Sequence, residues 1–510
     1  MSLSISKNNL TVRKELFSQI IEHPVDLEFI LPDYCMDIAR ILKCKGNAKI
    51  ISKSLVSGQL ILGGTVSFNI IYIDSDDGNI KSYQTTSNFT HELEVPQECD
   101  GGDICVNASV DYMNCRTVTS RKLDVHGAVS INVRILKNCD TDVVTKPSEK
   151  HIQTLSQKLV MTKVLSVTER SVIINEEIEA GPNLSGLQSV IRSDGCAVFG
   201  ECKTVTNKAI VKGTLGVRML CSCAKGELKK NEISIPFSQV LDAPGVDDQC
   251  ECDVSLDIVS LEARTRTGMD GECKSISVSA SICITLTVTK THEETIVTDA
   301  FSTEYDSETV TDDILIKTRS GNVSDNFVAN CRVDFPEPIV SIADVWCEAK
   351  YEGYKYEEGT LSVSGMLFTE MIAFTQDASP VFIEKASEFT HVLRIGTTEG
   401  NVDVRPKLVP VAAAYTITDA TSAEIRAEIQ ILMPVYTAQT VCVVTDIEAD
   451  TNKKKTVDKD ISLVVYFARK GESIWQIARR YNTSSESINS ANELSGITLE
   501  SDRMLLIPIV

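Results

Sequence analysis

Seven apolar residues at every second position, Ile276, Val278, Ala280, Ile282, Ile284, Leu286 and Val288, alternate with Ser277, Ser279, Ser281, Cys283, Thr285, Thr287 and Thr289. A period of two sustained this long demands an extended chain with one buried face, because successive side chains of a strand point to opposite sides. The pattern recurs as Leu123–Ile135 and, less regularly, as Ile425–Val435. A second anchor, a glycine opening a long alternating run, stands at Gly64–Tyr72, Gly213–Cys221 and Gly365–Met371. Gly213 follows Gly64 by 149 residues and Gly365 follows Gly213 by 152, while Ile276 follows Leu123 by 153. Two independent anchors at one interval predict a triplicated unit.

The expected fold class is therefore mainly β: three tandem antiparallel β-rich domains, at 1–142, 143–295 and 296–449. Each is of ordinary domain size. Ser18–Ile30 and the region around Ser234–Leu241 read equally as strand or helix. The net charge of −21 argues against binding nucleic acid, whose phosphates would be repelled. That acidity belongs to the body of the chain, because residues 461–510 hold five basic and five acidic side chains. No run approaches the length of a membrane span, and Met1–Lys14 lacks the apolar core of a signal peptide. Seventeen scattered cysteines do not look like a secreted disulfide framework, so a reducing cytoplasm is expected.

The C-terminal stretch has a different grammar. Val464–Phe467 suit a strand ended by Gly471. Ser473 can cap a helix on which Ile474, Ile477, Ala478 and Tyr481 form one stripe. Ser484 or Ser485 can cap a second helix carrying Ile488, Ala491 and Leu494, and Met504–Ile507 close with a strand before Pro508. A small α+β (βααβ) domain at 461–510 follows. The tract Asp450–Asp460, rich in lysine and aspartate, reads as a solvated linker or as the charged face of a hairpin.

This stretch resembles a LysM domain. Gly471-Glu472-Ser473-Ile474 stands for the family's Gly-Asp-Thr-Leu, Trp475–Tyr481 for its Trp-x-Ile-Ala-x-x-Tyr helix, Asn492–Leu494 for its Asn-x-Leu loop, and Leu505–Pro508 for its Leu-x-Ile-Pro ending. The resemblance implies a shallow groove between the loops at Gly471–Ile474 and Asn492–Ile497. Its ligand in the family is usually an N-acetylglucosamine polymer, and in some members a protein. Leu31–Leu42, which contains Pro32-Asp33-x-x-x-Asp37-Ile38, and the repeats after it resemble the DUF3794 or SPOCS family of spore-coat proteins in endospore-forming Firmicutes. The counterparts around Leu187–Ile191 and Pro336–Val345 are degraded. Tandem SPOCS-like units ending in one LysM are similar to coat morphogenetic proteins of the SipL and SpoVID type. That resemblance implies partners: a basal-layer ATPase scaffold of the SpoIVA kind and other coat proteins, with peptidoglycan as the alternative. It also implies assembly in the mother cell, at the forespore surface.

The candidate partner- or glycan-binding residues are Gly471, Glu472, Ser473, Ile474, Trp475, Arg479, Asn492, Leu494 and Ile497. Trp475 lies beside the stripe, so partial exposure as a binding anchor is expected; packing on Pro508 or a loop is the alternative. Arg479 and Arg480 read as a solvated face able to meet an acidic partner. Cys221, Cys223, Cys250 and Cys252 offer two close thiol pairs for a zinc site, but one intervening residue on a strand is poor spacing for it, and buried free thiols are expected. The six histidines are dispersed, with no nucleophile elbow, phosphate loop or dinucleotide fingerprint. No cofactor and no catalysis are expected. A scaffold leads, ahead of a peptidoglycan-binding protein and a wall hydrolase.

Overall fold

The computed structural model describes residues 5–147, 149, 151–179, 186–223, 226–267, 273–396, 401–455, 462–494 and 496–509. Unit 1 comprises β1 (Ile5–Ile30), β2 (Ile38–Val56), β3 (Gln59–Asp74), β4 (Ile80–Glu94), β5 (Asp103–Thr117) and β6 (Lys122–Pro147). They pair antiparallel as two sheets, β1-β6-β5 and β2-β3-β4. Unit 2 repeats this order with β7 (Ile152–Glu179), β8 (Leu187–Val205), β9 (Lys208–Cys223), β10 (Leu228–Asp242), β11 (Glu251–Thr267) and β12 (Cys273–Ser302). Unit 3 has β13 (Tyr305–Asp334), β14 (Ile339–Glu357), β15 (Thr360–Thr375), β16 (Pro380–Arg394) and β19 (Ser422–Lys454). Its fifth strand is split into β17 (Asn401–Val404) and β18 (Lys407–Asp419), both paired with β19.

The alternating runs become the central strand of each sheet. Ile276, Val278, Ile282, Ile284, Leu286 and Val288 of β12 are fully buried and share one core with Val211, Leu215 and Val217 of β9. The two ambiguous segments lie in strands β1 and β10. The glycine anchors have a packing cause. Gly64, Gly213 and Gly365 pair across the sheet with Phe89, Phe237 and Phe389. Each ring covers the place where a side chain would stand. A Cβ on Gly213 would lie 2.7 Å from the Phe237 ring and 2.8 Å from the Val198 carbonyl oxygen; on Gly365 it would run into the Phe389 ring and the Lys350 carbonyl. Gly365→Ala is therefore expected to destabilise by about 1–3 kcal/mol, measured by urea unfolding. No change would contradict the role given to the ring.

Leu31–Leu42 forms a turn followed by β2, with no helix. Cys35 N–H bonds the Pro32 carbonyl at 2.9 Å, and the Arg121 guanidinium donates to the carbonyls of Pro32 (2.8 Å) and Cys35 (3.0 Å). Arg121 (2.8 Å) and the Ser120 hydroxyl (2.7 Å) also hold Asp37. These bonds, that from Ser120 first, keep the Asp37 carboxyl below its usual pKa. The aspartate of the motif thus clamps the entry to the first unit.

Positions 142/143, 295/296 and 449/450 fall inside β6, β12 and β19; the chain passes between units after Pro147 and after Ser302. The reason is that the first and last strands outrun their own sheets and meet those of the other units. Leu10, Val12 and Val143 of unit 1, Leu159, Met161 and Ile296 of unit 2, and Ile314, Ile316 and Val443 of unit 3 form one buried cluster. A second cluster joins Ile71, Leu220 and Ile372, equivalent positions of β3, β9 and β15, with Ile80, Ile191 and Trp346. Two hubs built from equivalent positions define an approximately threefold arrangement within one chain.

Charged pairs also join the units across their seams. Lys45 of unit 1 pairs with Glu348 (2.6 Å) and Glu370 (2.9 Å) of unit 3. Arg192 of unit 2 pairs with Asp344 of unit 3 (3.0 Å) and lies over the Trp346 ring, 3.9 Å from its centroid. Burial works against the Lys45 ammonium, but the two glutamates outweigh it and hold its pKa above the ordinary lysine value. Such pairs discriminate among arrangements more than they add net stability.

Candidate functional site: the docked C-terminal module

The C-terminal module has the expected strand–helix–helix–strand order: β20 (Leu463–Ala468), α1 (Ile474–Arg480), α2 (Ser485–Asn492) and β21 (Arg503–Pro508), with β20 and β21 antiparallel. Gly471 supplies the turn after β20 with φ +87°, which favours a residue lacking Cβ. Ser484 caps α2, its Oγ accepting from Ser487 N–H at 3.0 Å. Ser473 stands at the N-cap of α1 but makes no side-chain cap bond; it bridges to Thr498 instead.

The two loops of the implied groove are stitched together. Ile474 N–H donates to the Ile497 carbonyl (2.9 Å), Leu499 N–H to Glu472 (3.0 Å), and Gly471 N–H to Leu499 (2.8 Å). The Glu472 carboxylate accepts from the Tyr466 hydroxyl at 3.1 Å. Several candidate side chains face inward. Ile474 is buried, and Leu494 packs half-buried against the same cluster. Asn492 is buried and clamps the last strand: its Nδ2 donates to the carbonyls of Ile488 (2.8 Å) and Leu506 (2.6 Å), and its Oδ1 accepts from Leu506 N–H (2.7 Å). Ile497, 65 % exposed, is the apolar groove position that reaches solvent. The sequence reading missed a second exposed surface, where Phe467 and Met504 stand opposite each other on the outer face of β20 and β21. The alternation of Val465 and Phe467 with Val464 and Tyr466 was its only signal.

Trp475 differs from expectation. It is 6 % exposed, because the module sits on unit 2. Its indole meets the Phe301 ring of β12 edge to face, with centroids 4.8 Å apart, and its Nε1–H donates to Asp299 at 2.7 Å. Arg479 is exposed, as expected of a solvated face, and also pairs with the same carboxylate at 3.0 Å. Arg480 lies over the Tyr466 ring and donates to its hydroxyl at 3.2 Å. The docking seam continues at Lys455, whose ammonium donates to the Ser302 carbonyl (2.9 Å) and to Asn482 (2.8 Å). Of the tract read as a linker, the beginning extends β19, with Asp450 opposite Asp306 and Lys454 opposite Tyr305; residues 456–460 lie outside the described residues.

Cys221 and Cys223 are buried in the core of unit 2, Cys250 donates to Asp247 at 3.1 Å, and Cys252 meets Cys202. Among the described residues no three His, Cys, Asp or Glu side chains converge as a metal site, and no helix is long and apolar enough to cross a membrane.

The geometry defines a class: a triplicated antiparallel β body carrying a small βααβ recognition module. Comparison with known families agrees. Residues 37–133 and 187–265 match the family described as the SipL SPOCS domain, and residues 466–508 match the LysM domain. The chain therefore has the SipL-type architecture of SPOCS segments followed by LysM, which associates it with the spore coat and gives it a module of the peptidoglycan-binding class. Unit 3 lies beyond the matched segments, yet it repeats their strand order. No curated protein and no solved structure matches the chain.

Proposed function

We propose that this protein is a non-enzymatic morphogenetic scaffold of the spore coat, working in the mother-cell cytoplasm at the forespore surface. Its SPOCS-like units contact coat proteins, and its LysM module binds a basal-layer ATPase scaffold of the SpoIVA kind. One observation carries the reading: Trp475 and Arg479 are committed to Asp299 of the body, which leaves Ile497, with the Phe467–Met504 face, exposed to a partner. Fixing the module to a rigid body lowers the ordering cost of assembly. The complete LysM fold supports a second reading, in which the groove takes an N-acetylglucosamine polymer.

Binding of the full chain to purified sacculi and, separately, to the purified ATPase scaffold distinguishes the two. Saturable binding to the ATPase scaffold without sedimentation on sacculi is expected. Sedimentation on sacculi with no affinity for the scaffold would replace the first reading with the second.

A further inference from the structure

The second and fifth strands of each unit belong to different sheets and meet at an open corner. At one equivalent position this corner is closed in three chemical ways. In unit 1 the Lys53 ammonium donates to the Ile104 carbonyl at 3.0 Å. In unit 3 the Tyr354 hydroxyl donates to the Val402 carbonyl at 2.6 Å. In unit 2 the Thr204 hydroxyl of β8 donates to the Cys250 carbonyl just before β11 at 3.4 Å, and two residues along each strand the Cys202 and Cys252 thiols face each other beside the core. Lys53, Cys202 and Tyr354 stand 149 and 152 residues apart, the same intervals as the glycine anchors. Unit 1 has a thiol pair further along the corresponding corner, Cys44 of β2 with Cys115 of β5.

We propose that Cys202 and Cys252 form a peroxide-responsive dithiol, whose disulfide staples the two sheets of unit 2, and that Cys44 and Cys115 are its counterpart in unit 1. The chemistry is asymmetric. The hydrogen bond from Cys202 favours Cys252 as the thiolate, against the opposing effect of burial. The adjacent Asp253 carboxylate works against the thiolate, and the buried Arg319 guanidinium, whose Nη2 donates to the Cys252 carbonyl at 3.4 Å, acts in the opposite direction. The Cys202 thiol is held protonated.

A thiolate is the nucleophile of such reactions. The Cys252 sulfur attacks a peroxide oxygen: an S–O bond forms, the O–O bond breaks, and hydroxide leaves, taking up a proton to become water. The Cys202 sulfur then attacks the Cys252 sulfenic acid, forming the S–S bond and releasing a second water that carries away the Cys202 proton. Two thiols are oxidised and one peroxide is reduced to two waters. Cys442 on β19 is exposed and serves as an internal reference, because mere accessibility would select it first.

The test treats the full chain with stoichiometric hydrogen peroxide, alkylates the remaining thiols and maps non-reduced peptides by mass spectrometry. The expected product joins the Cys202 and Cys252 peptides with the loss of two hydrogens, is reversed by dithiothreitol, and raises Tm by roughly 5–10 °C. Cys202→Ser is expected to abolish the linkage and leave a sulfenic acid at Cys252 that dimedone traps. Alkylated Cys202 and Cys252 alongside oxidised Cys442 would overturn the proposal, as would linkage of Cys252 to any other cysteine.

Discussion

Arg319→Met is expected to lower stability by about 3–5 kcal/mol, the cost of leaving a buried charge without its partner. Arg319 is the clasp between units 2 and 3. Its side chain is 3 % exposed and pairs with Asp253 at 2.5 Å and Glu251 at 2.9 Å, both on β11. Its backbone N–H donates to Thr162 at 2.8 Å, tying the same residue to β7. Methionine fills the space of the aliphatic stem but leaves Asp253, itself only 17 % exposed, with the Tyr436 hydroxyl at 2.8 Å as its remaining donor. Urea unfolding should show a lower midpoint, with unit 3 separating from the rest at lower denaturant. The double variant Arg319→Met with Asp253→Leu should recover much of the loss, because it removes both buried charges and leaves only the exposed Glu251. A loss below about 1 kcal/mol in the single variant would mean that the pair is solvated.

Trp475→Ala is expected to cost about 3–5 kcal/mol locally, as for other buried aromatic truncations. Two contributions combine: the ring's packing in the cluster that includes Phe301, Ile477 and Leu505, and the indole bond to Asp299. Trp475→Phe separates them. It keeps an aromatic ring against Phe301 while Arg479 still satisfies Asp299, so about 1–2 kcal/mol should be lost. Amide hydrogen exchange of the full chain is the direct measurement, since the module can open without global unfolding. Faster exchange in α1 and the end of β12, with the core of unit 1 unchanged, is the expected pattern. Unchanged exchange at β12 would show that the indole does not hold the module to the body.

Much of the fold was legible because period-two alternation is a local property. The runs at Leu123, Ile276 and Ile425 became the central strands β6, β12 and β19, and the glycine anchors became β3, β9 and β15. This carried the reading into unit 3, which the match to the SPOCS family, ending at residue 265, does not reach. What stayed hidden lay at contacts between distant segments. Lys45, Arg192 and Asp344 look like polar strand positions, yet they pair across units, and nothing local signals that. Trp475 was read from a helix alone, which gives the edge of a stripe but not Phe301 and Asp299, more than 170 residues earlier. Asn492 was read as a groove residue because its loop matches the family, although its amide spends its hydrogen bonds on Ile488 and Leu506. The close cysteine pairs drew attention to local spacing, whereas the partner of Cys252 lies on the facing sheet.

The central claim is that the C-terminal module uses one side to hold the body and the other to hold its partner. Affinity of the full chain for the purified ATPase scaffold, measured for Ile497→Asp and Asp299→Ala with folding checked by circular dichroism, tests it most directly. The account predicts at least a tenfold loss for Ile497→Asp, an exposed site whose substitution should spare the fold, equivalent to about 1.4 kcal/mol. It predicts retention of binding by Asp299→Ala. Loss with Asp299→Ala and none with Ile497→Asp would contradict it, and would place the partner on the side assigned here to the body.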